Sequence, residues 1–193
     1  FNLKNRQVYD KVFHVAAVGD AVYFGSSVED ALYCLDAETG DVRWKFFTEG
    51  PVRLAPSVDN DRVYFGSDDG YAYCLEGVEG NIIWKHRVAP QELRVPGNER
   101  LISMWPVRTG IVVVDGTAYC CGGVFPSETV FLTALDADSG EELWQAPIGD
   151  LPAQGYMLAS PSRLYVTTGR SRPVVFDRAE GKRLHAAERR DSG

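Results

Sequence analysis

Apolar and polar residues alternate along most of this chain with a period of two, in runs too short for helices. The clearest stretch reads "RLAPSV", "RVYFGS", "YAYCLE" and "NIIWKHRV" between residues 53 and 88. These runs are rich in β-branched and aromatic residues. They are separated by "DNDR", "DDG" and "GVEG", whose Asp, Asn and Gly residues suit tight turns. The pattern predicts four short antiparallel strands here and no helix anywhere in the chain.

The same four-strand pattern recurs. "LDAETGDVRW", "LEGVEGNIIW", "LDADSGEELW" and "FDRAEGKRLH" are four versions of one phrase. Their acids are Asp36, Glu76, Asp136 and Asp177, at intervals of 40, 60 and 41 residues. Four residues after each acid stands a glycine: Gly40, Gly80, Gly140 and Gly181. Four further on stand Trp44, Trp84, Trp144 and, in the last copy, His185. Glycine is expected at a turn position that needs positive φ. Tandem four-stranded units of about 40 residues predict an all-β fold, a β-propeller. The units fall at about 12–49, 51–90, 103–148 and 155–187, with an insertion over about 90–102 that reads as a surface loop decorating a binding face.

The phrase A-x-D-x-x-T-G-x-x-x-W resembles the tryptophan-docking motif of quinoprotein-like, or PQQ-repeat, propellers. That superfamily includes PQQ-dependent alcohol dehydrogenases and outer-membrane assembly lipoproteins. "LDAETGDVRW" and "ALDADSGEELW" carry the resemblance best. The second copy has Glu76 and Glu79 where the motif has Asp and Thr; the fourth has Glu180 for Thr and His185 for Trp. The resemblance implies that each Trp seats its indole against a neighbouring blade near that blade's turn glycine. It assigns docking roles to Asp36, Gly40, Trp44, Gly80, Trp84, Asp136, Gly140 and Trp144. Removing such a Trp should cost about 3–5 kcal/mol. Propellers of this type usually have seven or eight blades, so four units read as a slice of a longer ring. Pairing of two copies into one ring, or a closed four-bladed ring, are the other readings.

The net charge of −7 leaves no basic footprint for nucleic acid, and no apolar run reaches transmembrane length. The chain starts at Phe1 rather than Met, which reads as a mature form or a piece of something longer. Its compartment is not written in it; the resemblance implies a periplasmic or secreted location.

Chemistry is sparse. Cys120 and Cys121 are vicinal, and the quinoprotein dehydrogenases have a vicinal disulfide beside their cofactor. Strand alternation instead points the two thiols to opposite faces, and Cys34 and Cys74 fill the small-residue slot of Ala134. All four are expected to be free. No metal cluster, nucleotide loop or nucleophile motif is seen, so neither a catalytic nor a metal residue is assigned. No cofactor is expected; PQQ with calcium is the dehydrogenase alternative, without ligand residues in its support. Strand geometry puts the loops between second and third strands on one face with the segments leading into each blade. That face gathers Arg53, Trp105, Arg108, Tyr156 and Arg170, the candidates for binding a protein, a peptide or a small anionic ligand. Arg53 and Arg108 are expected either to meet that ligand or to pair with acids such as Glu49 or Asp69. The function expected is a non-catalytic binding scaffold. The alternatives are a PQQ-dependent dehydrogenase or a fragment of one, and a regulatory propeller fused to an enzyme.

Overall fold

The computed structural model describes residues 14–97, 100–149, 151–168 and 172–184. They form four antiparallel four-stranded sheets, each with its strands in sequence order. Sheet 1 is β1 (Ala16–Val18), β2 (Ala21–Ser26), β3 (Ala31–Asp36) and β4 (Val42–Phe47). Sheet 2 is β5 (Ser57–Asp59), β6 (Arg62–Gly66), β7 (Tyr71–Glu76) and β8 (Ile82–Arg87). A hairpin of β9 (Arg94–Gly97) and β10 (Arg100–Ser103) follows. Sheet 3 is β11 (Val112–Val114), β12 (Thr117–Gly122), β13 (Val130–Asp136) and β14 (Glu142–Gly149). Sheet 4 is β15 (Leu158–Ala159), β16 (Arg163–Val166), β17 (Val174–Asp177) and β18 (Arg183–Leu184). A 3-10 turn spans Pro126–Glu128. No helix of the described residues is long and apolar enough to cross a membrane.

The innermost strands touch in series, β1 with β5, β5 with β11 and β11 with β15. Between successive sheets lie three apolar cores. Leu32, Cys34 and Trp44 meet Val63, Phe65, Tyr73 and Leu75 in the first. Cys74, Trp84 and Val88 meet Ala118, Cys120 and Leu135 in the second. Cys121, Leu132 and Ala134 meet Leu164, Val166 and Phe176 in the third. Each sheet is thus buried on both faces wherever it has a neighbour on both sides, as blades of a propeller are.

The repeated phrase is the turn between third and fourth strands. In all four copies the acid's backbone N–H donates to the carbonyl five residues on, and the glycine N–H donates back to the acid's carbonyl. Gly40, Gly80, Gly140 and Gly181 have φ between 67° and 76°, which only glycine adopts without strain. Asp36 also accepts from Glu38 and Thr39, and Asp136 from Asp138 and Ser139. These bonds, with Arg43 at Asp36, hold both carboxyls below the usual carboxylate range. Gly80, Gly140 and Gly181 each let the preceding sheet's indole lie on the turn. A Cβ on Gly80 would stand 2.6 Å from Trp44, one on Gly140 2.7 Å from Trp84, and one on Gly181 against Trp144. Trp44 Nε1 donates to Gly77 O and Trp84 Nε1 to Ala137 O, both at 2.9 Å. The fourth copy's His185 lies outside the described residues.

Two local expectations change. The insertion is a strand pair rather than a loop. It is tied back by Arg94 to Glu49 and by Arg100 to Asp30 and the Val28 carbonyl. The inner strand of sheet 2 is also shorter than "RLAPSV" suggests, because Arg53–Pro56 serve as lead-in and only Ser57–Asp59 pair. All four cysteines are free and buried.

Candidate functional site

The loops joining second to third strands do share a face with the segments leading into the next blade, and backbone bonds weld the two sets together. Val52 N–H donates to Ser26 O, Val107 N–H to Ser67 O and Gly123 N–H to Pro106 O. The hub of this face is Asp68, in the turn between β6 and β7, with a side chain only 1% exposed. Its Oδ2 accepts from Arg53 Nε at 2.8 Å and lies 2.7 Å from Arg53 Nη2. Arg108 closes a second fork, Nε to Oδ1 and Nη2 to Oδ2, each at 2.8 Å. Asp68 also donates its N–H to Pro51 O and accepts from Ser103 N–H. One carboxylate therefore holds the lead-ins of sheets 2 and 3 to the β6–β7 turn.

Two guanidiniums share one carboxylate there, in a protein of net charge −7. The neighbouring carboxyl is that of Asp69. Burial drives its carboxyl upward, opposed by hydrogen bonds from Tyr73 Oη at 2.6 Å and from the N–H groups of Tyr71 and Glu49.

Arg53 and Arg108 are brought together as sequence geometry suggests, with 32% and 21% of their side chains exposed. Their shared partner is Asp68 rather than Glu49 or Asp69. Tyr156 joins them from the lead-in to sheet 4: its hydroxyl accepts the Ala55 N–H at 3.0 Å, across 101 residues, and its ring meets His14 edge-on. That lead-in is itself stitched to the one before, Gly155 N–H to Arg108 O and Gly110 N–H to Gly155 O. Trp105 is elsewhere. It is 5% exposed, and its Nε1–H is shared between the carbonyls of Glu128 and Thr129, so the indole pins the β12–β13 loop instead of facing a ligand. Arg170 lies outside the described residues. The hub role of Asp68 was missed in the sequence. The available signal was a turn acid, "SDDG", placed to face two lead-ins that each carry an arginine.

The sequence profile described as outer membrane protein assembly factor BamB matches residues 9–119 and again 102–193. The chain belongs to this family. Among curated relatives, BamB of Yersinia pestis is 24% identical over 164 residues, covering 82% of this chain and 39% of that protein. The quinoprotein ethanol dehydrogenase of Pseudomonas aeruginosa is 27% identical over 142 residues, covering 68% and 22%. The chain thus spans well under half the length of these relatives. A solved quinohemoprotein alcohol dehydrogenase from Pseudomonas putida HK5 shares the fold, with a TM-score of 0.72 at 16% identity, over 89% of this chain and 33% of that one.

Dehydrogenase relatives of a BamB-family chain raise the question of PQQ and calcium, and the vicinal thiols and the other described residues do not fit them. Cys121 lies in the core between sheets 3 and 4, its Sγ 3.7 Å from Met157 Sδ. Cys120 lies in the core between sheets 2 and 3. Facing opposite ways from β12, the pair cannot jointly line a site. Burial pushes the Cys120 thiol up to about 12 and that of Cys121 well above its usual value. Among the described residues no three His, Cys, Asp or Glu side chains converge to hold a cation.

Proposed function

We propose that this BamB-family chain is a non-catalytic scaffold that binds an acidic segment of a partner protein on the face carrying the insertion. The observation that carries this reading is the Asp68 clamp. It holds Arg53 and Arg108 in fixed forks on one carboxylate, both part-exposed. Pre-organised guanidiniums lose little entropy on meeting a carboxylate, which suits them to a peptide ligand. Exposed Leu93 and Leu101 of the hairpin segment and Phe125 of the β12–β13 loop add apolar surface to the same face. The assembly role in the name of the BamB relatives supports a protein partner and an extracytoplasmic place of action. The dehydrogenase relatives favour a second reading, that the chain is part of a larger quinoprotein; the divergent thiols speak against a cofactor held by these residues.

The test is fluorescence anisotropy with a labelled oligo-glutamate peptide, against an oligo-lysine control. Binding should be confined to the acidic peptide and weaken steeply with salt. Arg53→Gln should weaken it about tenfold or more while the sheet signal in circular dichroism is kept. No binding of the acidic peptide at low salt, or equal binding of both peptides, removes this reading.

A further inference from the structure

Two of the junctions between sheets bring a pair of donors onto one oxygen. Tyr23 of β2 and Trp44 both donate to Gly77 O, at 3.4 and 2.9 Å. Tyr64 of β6 and Trp84 both donate to Ala137 O, at 3.3 and 2.9 Å. In each case the acceptor is the carbonyl of the residue after the acid of the next turn. Tyr119 of β12 and Trp144 form the third such pair. Their ring centroids are 6.0 Å apart at a tilt of 46°, against 5.8 Å and 48° for the first pair and 5.9 Å and 52° for the second. With the same mutual geometry, the two donors converge on one point as the others do. The carbonyl due there is that of Arg178, yet neither the Tyr119 hydroxyl nor Trp144 Nε1 makes a hydrogen bond among the described residues.

Between this pair and the turn lies a cavity of about 270 Å³, lined by Tyr119, Pro161, Ser162, Asp177, Arg178 and Ala179. Its walls come from sheets 3 and 4, at the end of the blades where the turns of both are described throughout. Tyr119 is only 3% exposed, so its hydroxyl has the cavity before it and not open solvent. A buried donor without an acceptor is costly, and an oxygen brought in by a ligand removes that cost. The lining also says which kind of oxygen. Arg178 is already engaged, Nη2 with Asp115 and Nη1 with the Ser160 carbonyl. Asp177 stands in the wall, its Oδ1 accepting from the N–H groups of Ala179 and Glu180. A carboxylate ligand would face Asp177 with the guanidinium already paired, whereas a neutral carbonyl carries no charge to repel. A neutral amide carbonyl is also what the same two donors take in the other two junctions. Pro161 and Ala179 add apolar wall for a small aliphatic group.

We propose that this cavity is a binding site for a small neutral molecule with an amide carbonyl, whose oxygen accepts from Tyr119 Oη and Trp144 Nε1 together. The volume suits a molecule of the size of a capped amino acid rather than a single water. The site lies at the turn end of the blades, the end opposite the loops that carry the Asp68 clamp, and does not depend on binding there.

The test is a titration of the whole chain with N-acetylalaninamide, followed by the indole N–H signals in two-dimensional NMR, with Trp144→Phe identifying the signal of Trp144. That signal should shift saturably, with a midpoint of about 1–10 mM for so small a probe, while those of Trp44 and Trp84 stay in place. Tyr119→Phe should weaken the amide at least about fivefold. It should leave the urea midpoint unchanged, because the hydroxyl it removes makes no bond within the protein. Tyr64→Phe, which loses a bond, should lower that midpoint and leave the titration as it is. Acetate should bind at least about tenfold more weakly than the amide. A Trp144 signal that stays in place up to about 100 mM amide overturns the proposal. So do a Tyr119→Phe titration equal to that of the wild type, a Tyr119→Phe midpoint that falls as far as that of Tyr64→Phe, and acetate that binds as well as the amide.

Discussion

The junction between sheets 2 and 3 and that between sheets 3 and 4 use the same parts and close to different degrees. In the first, Trp84 is buried at 7% exposure, and its Nε1 and the Tyr64 hydroxyl both donate to Ala137 O. In the second, Tyr119 keeps the same tilt to Trp144, with centroids 6.0 Å apart against 5.9 Å for Tyr64 and Trp84. Trp144, however, is only part-buried, and among the described residues it makes no bond to the next turn. Gly181 meets the far rim of its ring, Cζ3 and Cη2, whereas Gly140 meets Trp84 at Cγ and Cδ2. A cavity of about 270 Å³ lined by Tyr119, Ser162, Asp177 and Arg178 opens at this junction.

One difference between the turns bears directly on this contrast. The residue after the acid is Ala37, Gly77 or Ala137 in the first three turns and Arg178 in the fourth. A small residue lets indole and phenol close on its carbonyl. Arg178 instead runs its side chain past the turn to Asp115 at 2.5 Å and the Ser160 carbonyl at 3.3 Å. The lesson is that the docking motif needs a small neighbour as much as it needs its Asp, Gly and Trp.

Four experiments can break or sharpen this contrast. The largest effect should come from the indoles. Trp84→Ala should lower stability by about 3–5 kcal/mol, and Trp144→Ala by about 2 kcal/mol, since its ring is less buried and unbonded. Urea unfolding of each variant measures this; equal losses would mean that the two junctions are energetically alike. Next come the glycines. Gly140 and Gly116 have φ 74° and 72°, but a Cβ at Gly116 meets nothing within 4 Å. Gly116→Ala should cost about 1 kcal/mol of backbone strain, and Gly140→Ala about 2–4 kcal/mol because it also drives into Trp84. Costs within error of each other would show that the seat under Trp84 is soft.

A smaller change is expected from Arg178→Ala. It removes an exposed ion pair worth under about 1 kcal/mol and lets the turn close on Trp144, so net stability should barely move. The readout is the Trp144 indole proton, which should gain protection from hydrogen exchange; no gain would mean that something other than Arg178 holds the junction open.

The smallest effect concerns His86, at the rim of the junction between sheets 2 and 3. Phe46 occupies its place in sheet 1 and Ala146 in sheet 3. Burial lowers its affinity for a proton, partly offset by Glu142, whose Oε2 is 3.5 Å from Nε2, too far for a hydrogen bond. A base depressed on folding binds protons better unfolded. Its contribution is therefore complete above its unfolded value of about 6.5 and is lost as pH falls below that. A His86→Gln variant should show a flatter melting temperature between pH 7 and 5 than the wild type; parallel profiles would assign that slope to other groups.

The sequence by itself determined the repeat and, with it, the fold. Alternation every two residues writes strands, and a turn that demands positive φ writes a glycine at a fixed offset from an acid. A side chain that must span a blade junction writes a tryptophan four residues later. Each is a local rule, enforced at one place in the chain and so readable there. The same alternation settled that Cys120 and Cys121 point apart. Tertiary structure alone decided which charges meet. Arg53, Asp68 and Arg108 come from three separate segments, and which acid neutralises which arginine depends on the distances between blades. Trp105 is the counterpart among apolar groups: its type and position fitted a ligand-binding residue, but the β12–β13 loop offered its indole two carbonyls and a buried seat. Arg178 stands between the two cases. Its letter is plain in the sequence, but its cost is set by how closely the next blade must approach, and only packing fixes that distance.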